Sequence, residues 1–462
     1  MFHIFKKYQP YFGPILRLSY PIIIGQIGIV LMGVADIVMI GRLDATNLAA
    51  AGLANSVFFF VTILGIGTLT AISPLVAKSR GGGHTNEVAL FFRQGIWASL
   101  ILSFFICLLL YMFTLNLHWL GQDEEVTELT KPYLHILNAG TVFMLLFMAA
   151  KQFSDGLSYT KPAAVITIAG LLLNVLLNWI LIFGKLGFPA YGLNGAGYAT
   201  SITRLLMAVV MIAFVLRNPI YHQFLHVKER IGNLQLLKLI FKVGVPSGFQ
   251  YFFEVGAFAF AAVMIGWFGK NQLAAHQIAI NLASVTYMVA TGLSVGGSIV
   301  VGDAWGRKNK KDMMFSGRAA LIMSVLFMAA TAIVFALANR MLVYFYTPDP
   351  MVSDLAANLL LIAALFQLSD GVQCVSLGIL RGLADTRIPT LITIIAYWVV
   401  GIPAGWWMAS ALGWELYGIW FGLSLGLTFS AIFLSIRFIK ESRAFNFPAE
   451  EQEKFSQLID KA

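Results

Sequence analysis

The sequence predicts an all-α polytopic membrane protein: twelve transmembrane helices in two six-helix lobes related by a parallel pseudo-two-fold repeat. Composition is the first ground, since 59% of the 462 residues are hydrophobic and only 11% charged, against about 25% charged in soluble domains. The second is the presence of twelve apolar stretches that reach the ~20 residues a spanning helix needs. The third is self-similarity. At an offset of 225 residues, Pro21 pairs with Pro246, Met39-Ile40-Gly41 with Met264-Ile265-Gly266, and Leu48-Ala49-Ala50 with Leu273-Ala274-Ala275.

The first six spans are expected at Ile15–Ile40, Ala49–Val76, Gln94–Leu115, Pro132–Gly156, Ala163–Gly184 and Gly195–Leu216. Span one follows Lys6 and Lys7, is too long for a signal-peptide core, and lacks a small-residue cleavage site, so it stays in the protein. It carries Pro21, whose missing N–H can bend a helix, and Asp36 in its outer half. Span four contains Lys151. Span five contains Asn174 and Asn178, which share one helical face at i and i+4, and span six contains Thr200 and Arg204.

The second six spans are expected at Ile240–Phe268, Ala275–Val301, Ala319–Ala338, Leu355–Gly378, Pro389–Ala411 and Gly418–Ile436. Glu254 lies near the centre of span seven and Asp370 near the centre of span ten. The repeat continues through Ser73 with Ser298, Val76 with Val301 and, after a one-residue slip, Gly156-Leu157 with Gly382-Leu383. Each half has an even number of spans, so both enter the membrane from the same side and the repeat is parallel. Residues 1–216 are thus read as an N-lobe, 217–239 as a cytoplasmic linker, 240–440 as a C-lobe and 441–462 as a cytoplasmic tail. The linker holds His222, His226, Lys228, Glu229 and Arg230, and Leu234, Leu236, Leu237 and Ile240 suit a short amphipathic helix on the membrane surface.

Basic residues set the orientation, because Lys and Arg resist translocation. With the N-terminus inside, the outer loops hold only Arg42, Lys131, Lys185, Lys270 and Arg340 of the 31 Lys and Arg residues. Both termini are therefore expected on the cytoplasmic side of the inner membrane. The net charge of +9 reflects this bias and implies no nucleic-acid partner. Cys107 and Cys374 lie inside spans without metal-ligand spacing and read as packing residues. The absence of HExxH, paired CxxC, Walker and Ser-His-Asp patterns argues against a metalloprotease or an ATP-driven pump.

Intramembrane acids carry the functional argument. Each costs roughly 2.5 to 3.5 kcal/mol on insertion scales, and none of the three has an acidic counterpart under the repeat: Asp36 corresponds to Ala261 and Glu254 to Ile29. One alternative is a scaffolding ion pair with Lys151 or Arg204. For Glu254 and Asp370 no neighbouring cation is expected, which suits a role in ion exchange. A carboxyl in a low-dielectric interior can bind and release a proton, or ligate Na⁺ as a hard oxygen donor. Asn174, Asn178 and Thr200 could join Asp36 around a cation, or equally hydrogen-bond neighbouring helices. Tyr251 and Phe253 beside Glu254, and Phe366 one turn before Asp370, form a candidate aromatic wall for organic cations. Two lobes with midplane charges suit alternating access around a central cleft, so a transporter is the leading class.

The segments MGVADIVMIG around Asp36, FSDGLSYTKP from Phe153, LLLNVLLNW from Leu171, FFEVGAFAF from Phe252, LAAHQIAIN from Leu273 and FQLSDGVQCVSLGILRG from Phe366 resemble, over nearly the whole chain, the multidrug and toxic compound extrusion (MATE) transporters, and more closely their NorM-type branch. The resemblance implies a cation-coupled antiporter for cationic and amphipathic drugs, with Glu254 and Asp370 in a C-lobe cation site and Asp36 in an N-lobe site beside Asn174, Asn178 and Thr200. Another branch has an acid at the place of Asn178, so the asparagine here speaks against a proton site of that kind and favours Na⁺ over H⁺ as coupling ion. Phe366 stands where relatives have a tyrosine, which removes a possible oxygen ligand. The resemblance implies no other cofactor and a monomer in contact with membrane lipid. A flippase for lipid-linked saccharides is the alternative, although Lys151 and Arg204 are few cations for a phosphate-bearing substrate. A membrane-embedded enzyme using Asp155 or Asp303 is the more distant one.

Overall fold

The computed structural model describes residues 2–225 and 234–444, and side chains from Lys7 onward. His226, Lys228, Glu229 and Arg230 of the expected linker, Lys6, and residues 445–462 of the expected tail lie outside the described residues or side chains. The described residues are helical and contain no strand. Twelve helices are long and apolar enough to cross a membrane: α1 Lys7–Ile40, α2 Ala45–Gly81, α3 Thr85–Leu115, α4 Glu124–Gly156, α5 Lys161–Phe183, α6 Gly192–Arg217, α7 Leu234–Gly266, α8 Lys270–Gly306, α9 Lys310–Tyr344, α10 Pro350–Gly382, α11 Arg387–Ala411 and α12 Glu415–Ala444.

Each expected span falls within one of these helices to about two residues; every helix begins before the apolar stretch, and half of them also run past its end. The extensions follow from capping. Asp44 accepts from Asn47 N ahead of α2, Asp123 from Glu125 N ahead of α4, and Asp349 from Met351 N and Val352 N ahead of α10. Each aspartate satisfies backbone donors that a helix start leaves unpaired. Leu234, Leu236, Leu237 and Ile240 do not form a separate surface helix but the first turns of α7; the short helix of this region is Pro219–Leu225. Apolar residues at a helix start read the same whether the helix lies on a membrane or enters it.

Three helices are locally irregular, and one of them, α4, is broken at Gly140 between segments that end at Ala139 and begin at Thr141. α2 breaks at Thr70 and Ala71, where Thr70 Oγ1 donates to Gly67 O at 2.6 Å. α11 contains a π-helical stretch over Ile395–Gly401, a form that often marks functional positions.

The described residues divide into two compact units, one within Ile24–Gly248 and one of residues 2–23 together with 249–444. The boundaries fall inside α1 and α7, two residues past Pro21 and Pro246 and 225 residues apart. In the second unit, Ile15 of α1 is fully buried in a core with Leu293, Met313 and Phe438, and Tyr11 Oη donates to Asp312 Oδ1 at 3.1 Å. A Cβ on Gly292 would collide with Ile23, so α1 and α8 touch almost backbone to side chain. In the first unit, Gly248 of α7 sits in the same way against Leu64 and Thr68 of α2. Small residues at such crossings let membrane helices gain van der Waals contact where no hydrophobic drive exists.

The repeat reaches side-chain detail. A Cβ on Gly156 would lie 2.5 Å from Ser73 O and 2.8 Å from Val76 Cβ, and one on Gly382 would lie 2.7 Å from Ser298 O and 3.1 Å from Val301 Cβ. The corresponding positions make the same close helix crossing in both halves. The duplication read from the sequence is thus also a duplication of packing.

Candidate functional site

In the first unit, Asp36 on α1 is 6% exposed. Its Oδ1 accepts from Asn178 Nδ2 at 2.6 Å and its Oδ2 from Thr200 Oγ1 at 2.9 Å. Asn178 Nδ2 also reaches Asn174 Oδ1 at 3.2 Å, and Asn174 Nδ2 reaches Thr200 Oγ1 at 3.2 Å. The i, i+4 spacing of the two asparagines thus closes one network across α1, α5 and α6. Asn178 Oδ1 is buried without a hydrogen-bond partner, which leaves one acceptor free within the cluster. The Arg204 guanidinium lies 4.7 Å from the centre of the Phe58 ring, and its charge acts on Asp36. Lys151, the other cation expected as a partner for Asp36, is engaged elsewhere: its Nζ lies 2.8 Å from Asp155 Oδ2, one turn away on α4.

The second unit gathers Glu254 and Asp370, each 5% exposed. Glu254 Oε2 accepts from Gln250 Nε2 at 2.9 Å, and Oε1 from Gln373 Nε2 at 3.2 Å. Gln373 Nε2 also donates to Tyr397 Oη at 2.8 Å, while Gln373 Oε1 is buried without a partner. Tyr397 and Trp398 belong to the π-helical stretch of α11, and Trp398 Nε1 donates to Phe253 O at 3.0 Å. The irregular turn thus presents two successive rings to α7 and α10. Asp370 is opposed by the charge of Glu254.

The expectation of no cation beside these acids is corrected. Arg381, in the last turn of α10, is 3% exposed, donates from Nη2 to Gln250 Oε1 at 3.2 Å, and lies 5.4 Å from the centre of the Tyr251 ring. The apolar stretch ends at Gly378, so an arginine three residues on reads as a loop cation, yet the helix carries it into the interior.

Of the aromatic candidates, Tyr251 packs under Arg381 and Phe253 meets Phe249, Phe252 and Trp398 at ring distances of 5.6 to 6.3 Å. Phe366 is 2% exposed and packs on Phe258 and Trp420, within the core of its unit. Sequence reasoning missed Gln250, Gln373 and Tyr397. Their signal is weak, because neutral polar groups in a span are commonly satisfied by hydrogen bonds to neighbouring helices. A glutamine one turn before Glu254 and another three residues after Asp370 are nonetheless readable as i, i+4 and i, i+3 neighbours.

Apolar helices in two units, each with a buried carboxylate cluster, define a multi-pass membrane transporter. The chain belongs to the MatE family, whose profile matches residues 21–180 and 246–407. The two matched segments begin 225 residues apart, the offset of the internal repeat. Multidrug resistance protein NorM of Aliivibrio fischeri is 34% identical over 441 residues, covering 94% of this chain and 95% of that protein. Multidrug resistance protein MdtK of Proteus mirabilis is 34% identical over 440 residues, covering 94% and 96%. Among solved structures, the eukaryotic MATE transporter AtDTX14 superposes with a TM-score of 0.87 at 18% identity, over 98% of this chain and 99% of that one. An outward-facing multidrug resistance MATE transporter of the MOP superfamily gives 0.85 at 21% identity, over 93% and 96%. At that identity these two show the shared fold. The family is one of transporters, and the enzyme alternative is set aside.

Proposed function

We propose that this protein is a cation-coupled antiporter that expels cationic and amphipathic organic compounds by alternating access, with Na⁺ favoured over H⁺ as the coupling ion. The observation that carries the reading is the buried pair Glu254 and Asp370 on α7 and α10. Two carboxylates opposed in a low-dielectric interior favour capture of a cation. Gln373 Oε1, buried without a partner, supplies a further oxygen of the kind Na⁺ takes. The names of the Aliivibrio fischeri and Proteus mirabilis relatives, both multidrug resistance proteins, support drug compounds as the cargo.

In the proposed cycle, the coupling ion binds Glu254 and Asp370 from outside, neutralises their charge and releases the organic cation. The units then change access, the ion leaves to the cytoplasm, and a new organic cation binds. Competition of both cations for one carboxylate set links the two fluxes. Asp36, Asn174, Asn178 and Thr200 are proposed as a second polar site that supports the cycle, and Tyr251, Phe253 and Phe366 as aromatic contacts for cargo. We propose a monomer in the inner membrane, and the distribution of Lys and Arg supports both termini being cytoplasmic. The flippase alternative draws less support, since Lys151 is occupied by Asp155.

Efflux of a fluorescent organic cation from cells expressing the protein tests the reading. Glu254→Gln combined with Asp370→Asn is expected to abolish efflux at normal expression. Unchanged efflux would refute it.

A further inference from the structure

The exchange cycle makes no use of Arg381, although this residue belongs to the same cluster. Its Nη2 donates to Gln250 Oε1 at 3.2 Å, and the other end of that amide, Nε2, donates to Glu254 Oε2 at 2.9 Å. The amide thus joins a guanidinium to a carboxylate, with its acceptor turned to the cation and its donor to the anion. Both Gln250 and Arg381 are 3% exposed. Neighbouring turns of α10 hold the arginine in place: a Cβ on Gly378 would collide with Ser294 of α8, and one on Gly382 would lie 2.7 Å from Ser298 O.

A guanidinium remains protonated throughout the pH range of folded proteins. Among the described residues, the other titratable groups in charge interaction with the two acids are Tyr251 on α7, Tyr287 on α8, Cys374 on α10 and Tyr397 on α11. All four are neutral side chains near neutral pH. With Glu254 and Asp370 ionised, the cluster carries two negative charges and one fixed positive charge. Its net charge is a single unit. In a low-dielectric interior each uncompensated unit is costly, so the cluster draws in the number of cations that neutralises it. By the same count, Asp36 with the charge of Arg204 acting on it is already balanced.

We infer that Arg381, acting through Gln250, is a positioning residue: a resident counter-charge that limits the Glu254 and Asp370 site to one monovalent cation at a time. The inference rests on the antiport reading and adds its charge count. One monovalent organic cation then exchanges for one coupling ion, and the exchange moves no net charge. Removal of Arg381 leaves two negative charges, so two ions are carried for each organic cation.

The test uses the full-length protein in proteoliposomes with radiolabelled tetraethylammonium, a monovalent and membrane-impermeant probe. Na⁺ and H⁺ gradients are imposed separately, with and without a K⁺ diffusion potential. The protein is expected to accumulate the probe in proportion to the first power of the driving gradient, with no response to the potential. Arg381→Gln is expected to give a second-power dependence and a response to the potential, whereas Arg381→Lys behaves as the parent. A second-power dependence in the parent protein overturns the inference, and so does a first-power dependence in Arg381→Gln. The parent measurement decides even where Arg381→Gln does not fold. Gln250→Leu keeps the charge and cuts the bridge, so it is expected to keep the first-power dependence while shifting the half-saturating ion concentration by roughly tenfold, the size of one charge-assisted hydrogen bond. Half-saturation equal to the parent's overturns the role of Gln250. Absence of any gradient-driven accumulation in the parent sinks the antiport reading and this inference with it, whereas accumulation with the wrong power sinks only the charge count.

Discussion

Replacing Asp155 with Asn leaves a buried ammonium without its counter-charge. Lys151 Nζ lies 2.8 Å from Asp155 Oδ2, and the two side chains are 6% and 0% exposed. Breaking one half of such a pair costs about 3–5 kcal/mol, since the remaining ion stays in low dielectric with nothing to offset its desolvation. Removing both charges with Lys151→Met and Asp155→Leu is expected to cost under about 1 kcal/mol or to stabilise. Asp155 Oδ1 already lacks a partner, and its removal eliminates an unsatisfied acceptor worth about 1–3 kcal/mol. The single variant is then expected to be less stable than the double one by about 2–4 kcal/mol. Denaturant unfolding of the purified parent, Asp155→Asn and the double variant in detergent measures it, alongside organic-cation transport by each. The reasoning fails if Asp155→Asn costs less than about 1 kcal/mol, or if the double variant is as unstable as the single one. A double variant that is stable but transports nothing would move the pair from scaffold to transport site.

Other substitutions read different parts of the structure. Asn178→Leu removes the 2.6 Å donor to Asp36 and is expected to cost about 1–3 kcal/mol in unfolding and to reduce transport. Gly156→Ala and Gly382→Ala place a Cβ 2.5 and 2.7 Å from the Ser73 and Ser298 carbonyls, for an overpacking cost of about 1–3 kcal/mol each. Gly13→Ala, with nothing within 4 Å, is expected to be neutral or to stabilise by up to about 1 kcal/mol in the same unfolding assay. Tyr221, on the short helix after α6, shares a 2.7 Å hydrogen bond with Ser154, and burial pushes its phenol up to about 12 from the usual 10. Its contribution is present below pH 10 and lost as pH rises from 10 towards 12, because the unfolded chain releases that proton first. Unfolding midpoints across this window are expected to fall in the parent and to lose that part of the fall in Tyr221→Phe.

How far the sequence discloses the protein depends on how costly each residue is where it stands. Asp36, Glu254 and Asp370 stand out because a carboxylate inside an apolar stretch is expensive. Asn174 and Asn178 follow from helical spacing, and the structure joins both to Asp36. Arg381 is hidden because it follows the apolar stretch, where an arginine costs nothing in a loop reading. Gln250, Gln373 and Tyr397 are hidden because neutral polar side chains in a span are commonly satisfied by a neighbouring helix, and their roles depend on contacts 119 and 131 positions apart or on a π-helical turn. The Lys151 and Asp155 pair is open to reading, being i and i+4 on one helix, but both residues invite more distant partners. The division of α1 and α7 between the two units is marked locally only by Pro21 and Pro246, two residues before each boundary. It arises from contacts such as Ile23 with Gly292 and Gly248 with Thr68, which only the folded chain brings together.

Transport in proteoliposomes under a single imposed gradient tests the central claim most directly. An inward-loaded fluorescent organic cation is expected to leave when Na⁺ is supplied on the opposite side, and Glu254→Gln with Asp370→Asn is expected to stop it. Export at the same rate without any ion gradient, or export undiminished in the double variant, would contradict the account.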